Sequence, residues 1–335
     1  MTNKLETPIK ITQQVYNTVT IPLVSIICNT YNHKNFISDA IEGFLIQETT
    51  FPVEILIHDD ASTDGTTEIV KSYEKKYPDL IKAIYQNKNQ RSQGIKPFVK
   101  FQHPRAKGKY IALCEGDDYW TAPDKLQKQI DFLEKNRDFS ICFHNGQLLE
   151  NDKICDDPLN IDQPEITTII DLCKKNFIRT ASCVFRNHLF DKLPESYNKS
   201  PVGDYFLHLL NAQYGKTKFF SEKMSVYRIH SQGLWSSKTP LQQMVSSTEV
   251  YKFLIQHFSG EVQQALLFAY FNLNESIINY YSKDKDRLIN EHKSNLNDPY
   301  YLIEKCNFSV MLKASALKLI RFIKKHTYLQ LRKLI

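Results

Sequence analysis

The sequence has no C-x-x-C pair, no long uninterrupted apolar run, and no charged start leading into an apolar stretch at its N-terminus. Each absence excludes something. The seven cysteines, Cys28, Cys114, Cys142, Cys155, Cys173, Cys183 and Cys306, are odd in number and scattered. That spacing argues against a disulfide framework and a zinc site, and for a reducing cytoplasm. Without roughly 18 consecutive apolar residues no spanning helix is expected, and MTNKLETPIKITQQ does not read as a secretory signal. Charge of one sign is also scarce: 43 Lys and Arg against 37 Asp and Glu leave +6, too mild to call for a nucleic-acid partner. What is present is material for a core. Hydrophobic residues make up 42% and charged residues 24%, with 18 Tyr and 20 Phe, the balance of a folded globular chain. At 335 residues the expectation is one main domain with a smaller appendage.

Residues 1–21 read as a polar leader ending before Pro22. Leu23–Cys28 is a short, β-branched-rich run of the kind buried on both faces of a parallel sheet. It stops at Asn29-Thr30-Tyr31-Asn32, a turn-prone cluster. Apolar residues at Ile37, Ala40, Ile41, Phe44 and Leu45 have helical spacing. Val53–His58 reads as a second buried strand, opening through Asp59-Asp60-Ala61-Ser62-Thr63-Asp64-Gly65 onto a helix over Thr67–Lys76. Lys82–Tyr85 and Tyr110–Cys114 are further strands, the latter ending on Glu115-Gly116-Asp117-Asp118-Tyr119-Trp120. A helix is expected over Pro123–Asn136 with Thr121 as its cap, strands over Ser140–His144, Ile178–Arg186 and Phe219–Ile229, and a helix over Asp204–Ala212. Asp152–Glu165 looks irregular. Strand-helix alternation predicts an α/β, doubly wound sheet flanked by helices. Beyond about Leu241 turn residues thin out and helical patterns dominate, so the division is leader 1–21, catalytic domain 22–240 and helical C-terminal region 241–335.

In such sheets ligands sit beyond the carboxyl ends of the strands, where all three polar clusters fall. Tyr31 offers a flat ring for a base, and Asp60 an acceptor for a base imide or ribose hydroxyl. Asp117 and Asp118 offer hard oxygen ligands for Mn²⁺ or Mg²⁺ bridging a diphosphate. Taken singly, each cluster is a solvated turn or a helix cap. Their convergence on one sheet edge favours a single nucleotide-sugar pocket.

The runs Pro22–Asn32, His58–Thr66 and Glu115–Trp120 together resemble the family 2 glycosyltransferases over about residues 20–240. The resemblance implies a GT-A type mixed sheet, a nucleoside-diphosphate sugar donor, most often a UDP-sugar, a divalent cation, and inversion at the anomeric carbon. It implies that Tyr31 and Asp60 hold the base, with Asn29 and Thr30 lining that pocket. Asp117 touches ribose or metal, and Asp118 is the main metal ligand. Glu115 stands at the first acidic position of the D-x-D pattern. The general base matches Asp204 in Val202-Gly203-Asp204-Tyr205, where Gly203 replaces the family's Glu; Glu195 is the reserve. Met224–Ser231 resembles the segment that closes over the diphosphate, so Arg228 is expected to neutralise phosphate and His230 to complete the metal sphere. Trp235 and Ser236 follow in a lid-like loop, and Arg91 is a further phosphate or ribose candidate.

From Lys313 to Lys333 there are seven Lys or Arg and no acidic residue. On a helix, Leu312, Ala316, Leu319, Ile320 and Ile323 share one face, opposite Lys318, Arg321, Lys324 and Lys325. Such a segment either lies on an anionic membrane beside a lipid-linked acceptor or packs its apolar stripe on the protein. The activity implied is glycan or lipid-linked acceptor glycosylation in bacterial surface polysaccharide synthesis, carried out in the cytoplasm or on the inner face of its membrane. Two alternatives stand beside it. One is a sugar nucleotidylyltransferase, although the first strand lacks the Gly-rich, basic loop that chemistry uses. The other is a non-catalytic binding module on the same fold.

Overall fold

A computed structural model describes residues 5–15, 20–190 and 192–283, in two compact units, Met1–Lys238 and Thr239–Ile335. The stretch expected to be a polar leader contributes β1 (Ile9–Lys10) and buries Ile11 completely. The first apolar run becomes β2 (Val24–Thr30), followed by α1 (Ile37–Leu45), which buries the five apolar positions expected from its spacing. Next come β3 (Glu48–Thr49), antiparallel to β1, then β4 (Val53–Asp59), buried at every position, α2 (Thr66–Lys76) and β5 (Ile81–Tyr85).

Around the acidic run the structure departs from expectation. β6 (Tyr110–Leu113) ends on the run, whose last two residues form their own strand, β7 (Tyr119–Trp120). Thr121, just past that strand, donates its N–H to the Met224 carbonyl at 3.0 Å. It is therefore not the cap of α3 (Lys125–Lys135), which starts later, after Asp124. β8 (Phe139–Glu150) is much longer than expected, and β9 (Lys153–Asp156) hairpins back on it inside the stretch expected to be irregular. After β10 (Ile166–Thr167) and α4 (Ile169–Leu172), the strand expected from Ile178 is confined to β11 (Val184–Arg186) because Thr180–Ser182 coil into a 3₁₀ turn. α5 (Glu195–Lys199), α6 (Asp204–Ala212) and β12 (Lys216–Ile229) complete the unit.

The main sheet runs β10-β12-β8-β11-β6-β2-β4-β5. β6, β2, β4 and β5 are parallel, with Val24 opposite both Val53 and Tyr110, and β12 is parallel to β8. β11 enters antiparallel between β6 and β8, so the sheet is mixed and flanked by helices. β7 lies off this path, antiparallel to β12, with Tyr119 opposite Val226 and Trp120 opposite Ser225.

The second unit contains α7 (Pro240–His257), opened by a Thr239–Gln242 capping box, and α8 (Gly260–Lys283). Among the described residues no helix is long and apolar enough to cross a membrane. The basic segment from Lys313 to Lys333 lies outside the described residues.

Candidate active site

The β2 and β4 ends are latched together. Asn32 and Ala61, just past each strand, both take left-handed backbone conformations, with φ of 55° and 66°. Asn tolerates this region; Ala does so only when its neighbours hold it. Here they do: Asn32 N–H donates to Ser62 Oγ (2.9 Å), Thr63 N–H to Asn32 Oδ1 (2.9 Å), and Ser62 N–H to Asp59 Oδ1 (3.0 Å). Asp64 accepts from Thr66 N–H and from Lys34 N–H. The latch leaves Tyr31 44% exposed, its ring accessible at the strand end. Asp60, by contrast, is buried, and its two carboxylate oxygens accept from the backbone N–H groups of Gln90 (2.7 Å) and Arg91 (3.0 Å). It anchors the exposed turn that carries Arg91, a job the sequence did not reveal.

The acidic run folds against this corner. Gly116 N–H donates to Asn29 O at 2.9 Å. A Cβ at Gly116 would meet Thr30 Oγ1 at 2.8 Å and His33 Nδ1 at 3.0 Å, so only glycine allows the approach. Glu115, Asp117 and Asp118 are thereby crowded together. Burial, then the charge of Asp117, pushes Glu115 up to about 7, with Asn29 Nδ2 at 3.4 Å as its hydrogen-bonding neighbour. Burial and the same charge raise Asp118 well above the carboxylate range. Burial would raise Asp117 too, but the His230 hydrogen bond and the charge of His33 outweigh it and hold this group low.

The β7–β12 register explains the other wall. With Val226 opposite Tyr119, Arg228 reaches the loop: its backbone N–H donates to Asp118 Oδ1 (2.9 Å) and Nη1 to the Asp117 carbonyl (2.9 Å). Nη2 pairs with Asp39 of α1, and the guanidinium lies over the rings of Tyr119 and Phe36. Arg228, expected against phosphate, braces α1, β12 and the acidic loop through these contacts. His230, expected in a metal sphere, places Nε2 3.2 Å from Asp117 Oδ2 and its ring against Phe36. His33, which the sequence reading missed, approaches the same oxygen at 3.8 Å.

Four buried polar atoms facing this corner lack hydrogen-bond partners: Asn29 Oδ1, Thr30 Oγ1, and Nδ1 of His33 and His230. Among the described residues no three His, Cys, Asp or Glu side chains form a complete ligand set. Crowded carboxylates beside imidazoles nevertheless fit a divalent cation, provided phosphate oxygens fill its remaining positions.

Asp204 opens α6. Gly203 occupies the cap position without a side-chain bond, and its absent Cβ would lie 3.0 Å from Tyr197 Oη, which accounts for glycine there. The Asp204 carboxylate accepts from Tyr205 N–H at 2.7 Å and lies 3.5 Å from Thr180 Oγ1. Its charge is felt by Glu115 and by Lys96, whose ammonium burial pushes down to about 8. The reserve candidate Glu195 falls away: it is 79% exposed and paired with Lys199 on the surface. Ser236 Oγ donates to the His230 carbonyl at 3.1 Å, tying the Trp235–Ser236 turn to the site.

Comparison with solved structures places this architecture among the GT-A glycosyltransferases. Staphylococcus aureus TarS (residues 1–349, in complex with UDP-GlcNAc) superposes with a TM-score of 0.56 over 82% of this chain and 76% of that one, at 17% identity. The mannosyltransferase PcManGT of Pyrobaculum calidifontis, in complex with GDP-Man and Mn²⁺, gives 0.53 over 92% and 91%, at 14% identity. The chain belongs to glycosyl transferase family 2, whose family model matches residues 25–192. An uncharacterised protein of Mycobacterium tuberculosis is 38% identical over 218 residues, 64% of this chain. The chain spans 61% of that relative's length. The putative teichuronic acid biosynthesis glycosyltransferase TuaG of Bacillus subtilis is 35% identical over 159 residues, 47% of this chain and 59% of TuaG.

Proposed function

We propose that this protein transfers a sugar, with inversion, from a UDP-sugar to a hydroxyl of a glycan or lipid-linked acceptor in surface polysaccharide synthesis. The observation that carries the reading is the convergence of Tyr31, the Glu115–Asp118 run and Asp204 on one end of the sheet. The TuaG relative supports the polysaccharide context, and the UDP-GlcNAc complex of TarS supports the donor class.

In this reading Tyr31 stacks on the base, and Asn29 and Thr30, each with an unpartnered buried oxygen, line its pocket. Asp60 sets the Arg91 turn and keeps lone pairs on both oxygens for the base or ribose. Asp118, Asp117 and His230 hold Mn²⁺ or Mg²⁺. When bound, the cation supplies Lewis-acid stabilisation of the departing nucleoside diphosphate. Asp204 accepts the proton of the acceptor hydroxyl as it attacks the face of the sugar opposite the diphosphate.

The test is Asp204→Asn, assayed with UDP-sugars in the presence of Mn²⁺. Transfer and donor hydrolysis should fall by roughly 10²- to 10⁴-fold while UDP affinity is kept. Retained turnover would remove Asp204 as the base.

A further inference from the structure

Arg179 is a tightly fixed cation near the site. Its Nε and Nη2 donate to the two carboxylate oxygens of Asp157 at 2.7 and 3.1 Å. Asp157 has a side chain only 1% exposed and is itself held by Leu159 N–H at 3.0 Å. The guanidinium lies 4.5 Å from the Tyr227 ring centroid, one residue before Arg228 on β12. Fork, carboxylate and ring together fix its plane. Nη1 donates to no acceptor among the described residues, and the Arg179 side chain is 24% exposed.

The location matters as much as the geometry. Tyr227, against which the guanidinium lies, precedes Arg228, whose N–H donates to Asp118 Oδ1 at 2.9 Å, and the residue after Arg179, Thr180, places its hydroxyl 3.5 Å from Asp204. The anomeric carbon of a donor must lie between the diphosphate held near Asp118 and an acceptor hydroxyl held near Asp204. In that reading the sugar ring would lie on the side of the pocket lined by Thr180 and Arg179. Its charge is already balanced by the buried Asp157 carboxylate, so the open Nη1 edge suits a directional bond to a neutral hydroxyl better than a second phosphate.

We propose that Arg179 is a specificity-determining residue whose Nη1 donates to a hydroxyl of the transferred sugar; this rests on the reading of the pocket as a nucleoside-diphosphate sugar site. The experiment is calorimetric titration of the full chain with UDP, UDP-glucose, UDP-galactose and UDP-N-acetylglucosamine in Mn²⁺, using wild type, Arg179→Lys and Asp157→Asn. Asp157→Asn keeps the guanidinium but releases its orientation. Both variants should hold UDP within about twofold, while the ratio of sugar-nucleotide Kd to UDP Kd rises about tenfold, the loss of one charged hydrogen bond. Equal loss for UDP and the sugar nucleotides, or an unchanged ratio in both variants, would overturn the assignment. If wild type does not bind UDP, the reading of the pocket fails first, and this inference with it.

Discussion

At the scale of single residues, the candidate site depends on one glycine as much as on its carboxylates. Gly116 lets the acidic run close onto Thr30 and His33, with no room for a methyl group. Gly116→Ala should therefore displace the loop from the corner it shares with β2. UDP affinity should fall by about tenfold or more, with overpacking strain of about 1–3 kcal/mol; calorimetric titration checks the affinity and chemical denaturation the strain. Affinity equal to wild type would show that the loop reaches its place without this contact. The acids Glu115, Asp117 and Asp118 were legible because three carboxylates in four residues are conspicuous. The imidazole of His33 was not. A histidine in a turn-prone run carries no mark of where it points until the β2 and β6 ends are brought together.

Among elements, the parallel strands β2, β4 and β6 could be read because each is a short, mainly apolar run ending in a polar cluster. β7 could not. Two residues give no periodicity, and Tyr119 and Trp120 looked like the end of a motif. Their pairing with β12 brings Arg228 to Asp118, where it braces the acidic loop. β8 and β9 were hidden for a similar reason, since the continuous burial of β8 ends at His144 and its last four residues are only partly buried or exposed. The packing of β7 on α1 is tight: Phe44 meets Trp120 edge-on at 4.9 Å, and a Cβ on Gly43 would lie 2.7 Å from the Trp120 carbonyl oxygen. Gly43→Ala should destabilise the protein by about 1–3 kcal/mol through that clash, measured by denaturant unfolding. A stability within error of wild type would mean that β7 moves freely on α1, and the bracing account would fail.

For the molecule as a whole, stability should carry the signature of Lys125. Its ammonium is fully buried, 2.8 Å from Gln129 Oε1 and 3.9 Å from the centre of the Trp120 ring, directly behind the acidic loop. Burial pushes it down to about 8. Between that value and the ordinary lysine range near ~10.4 the unfolded chain binds the extra proton, so stability rises with pH there, by at most ~1.4 kcal/mol per unit. Below pH 8 both states are protonated and the full burial penalty is present. Relative to Lys125→Met, the wild type should gain stability between pH 8 and 9.5 in denaturant titrations. A difference independent of pH would contradict the burial of a titrating amine.

Separate strand ends assemble, on the proposed function, one cation-dependent nucleotide site. Titrating the full chain with UDP, with and without Mn²⁺, tests it most directly. The account predicts binding that requires the cation and disappears in Asp118→Ala, with the variant still folded. UDP binding that is indifferent to both the cation and Asp118 would contradict it.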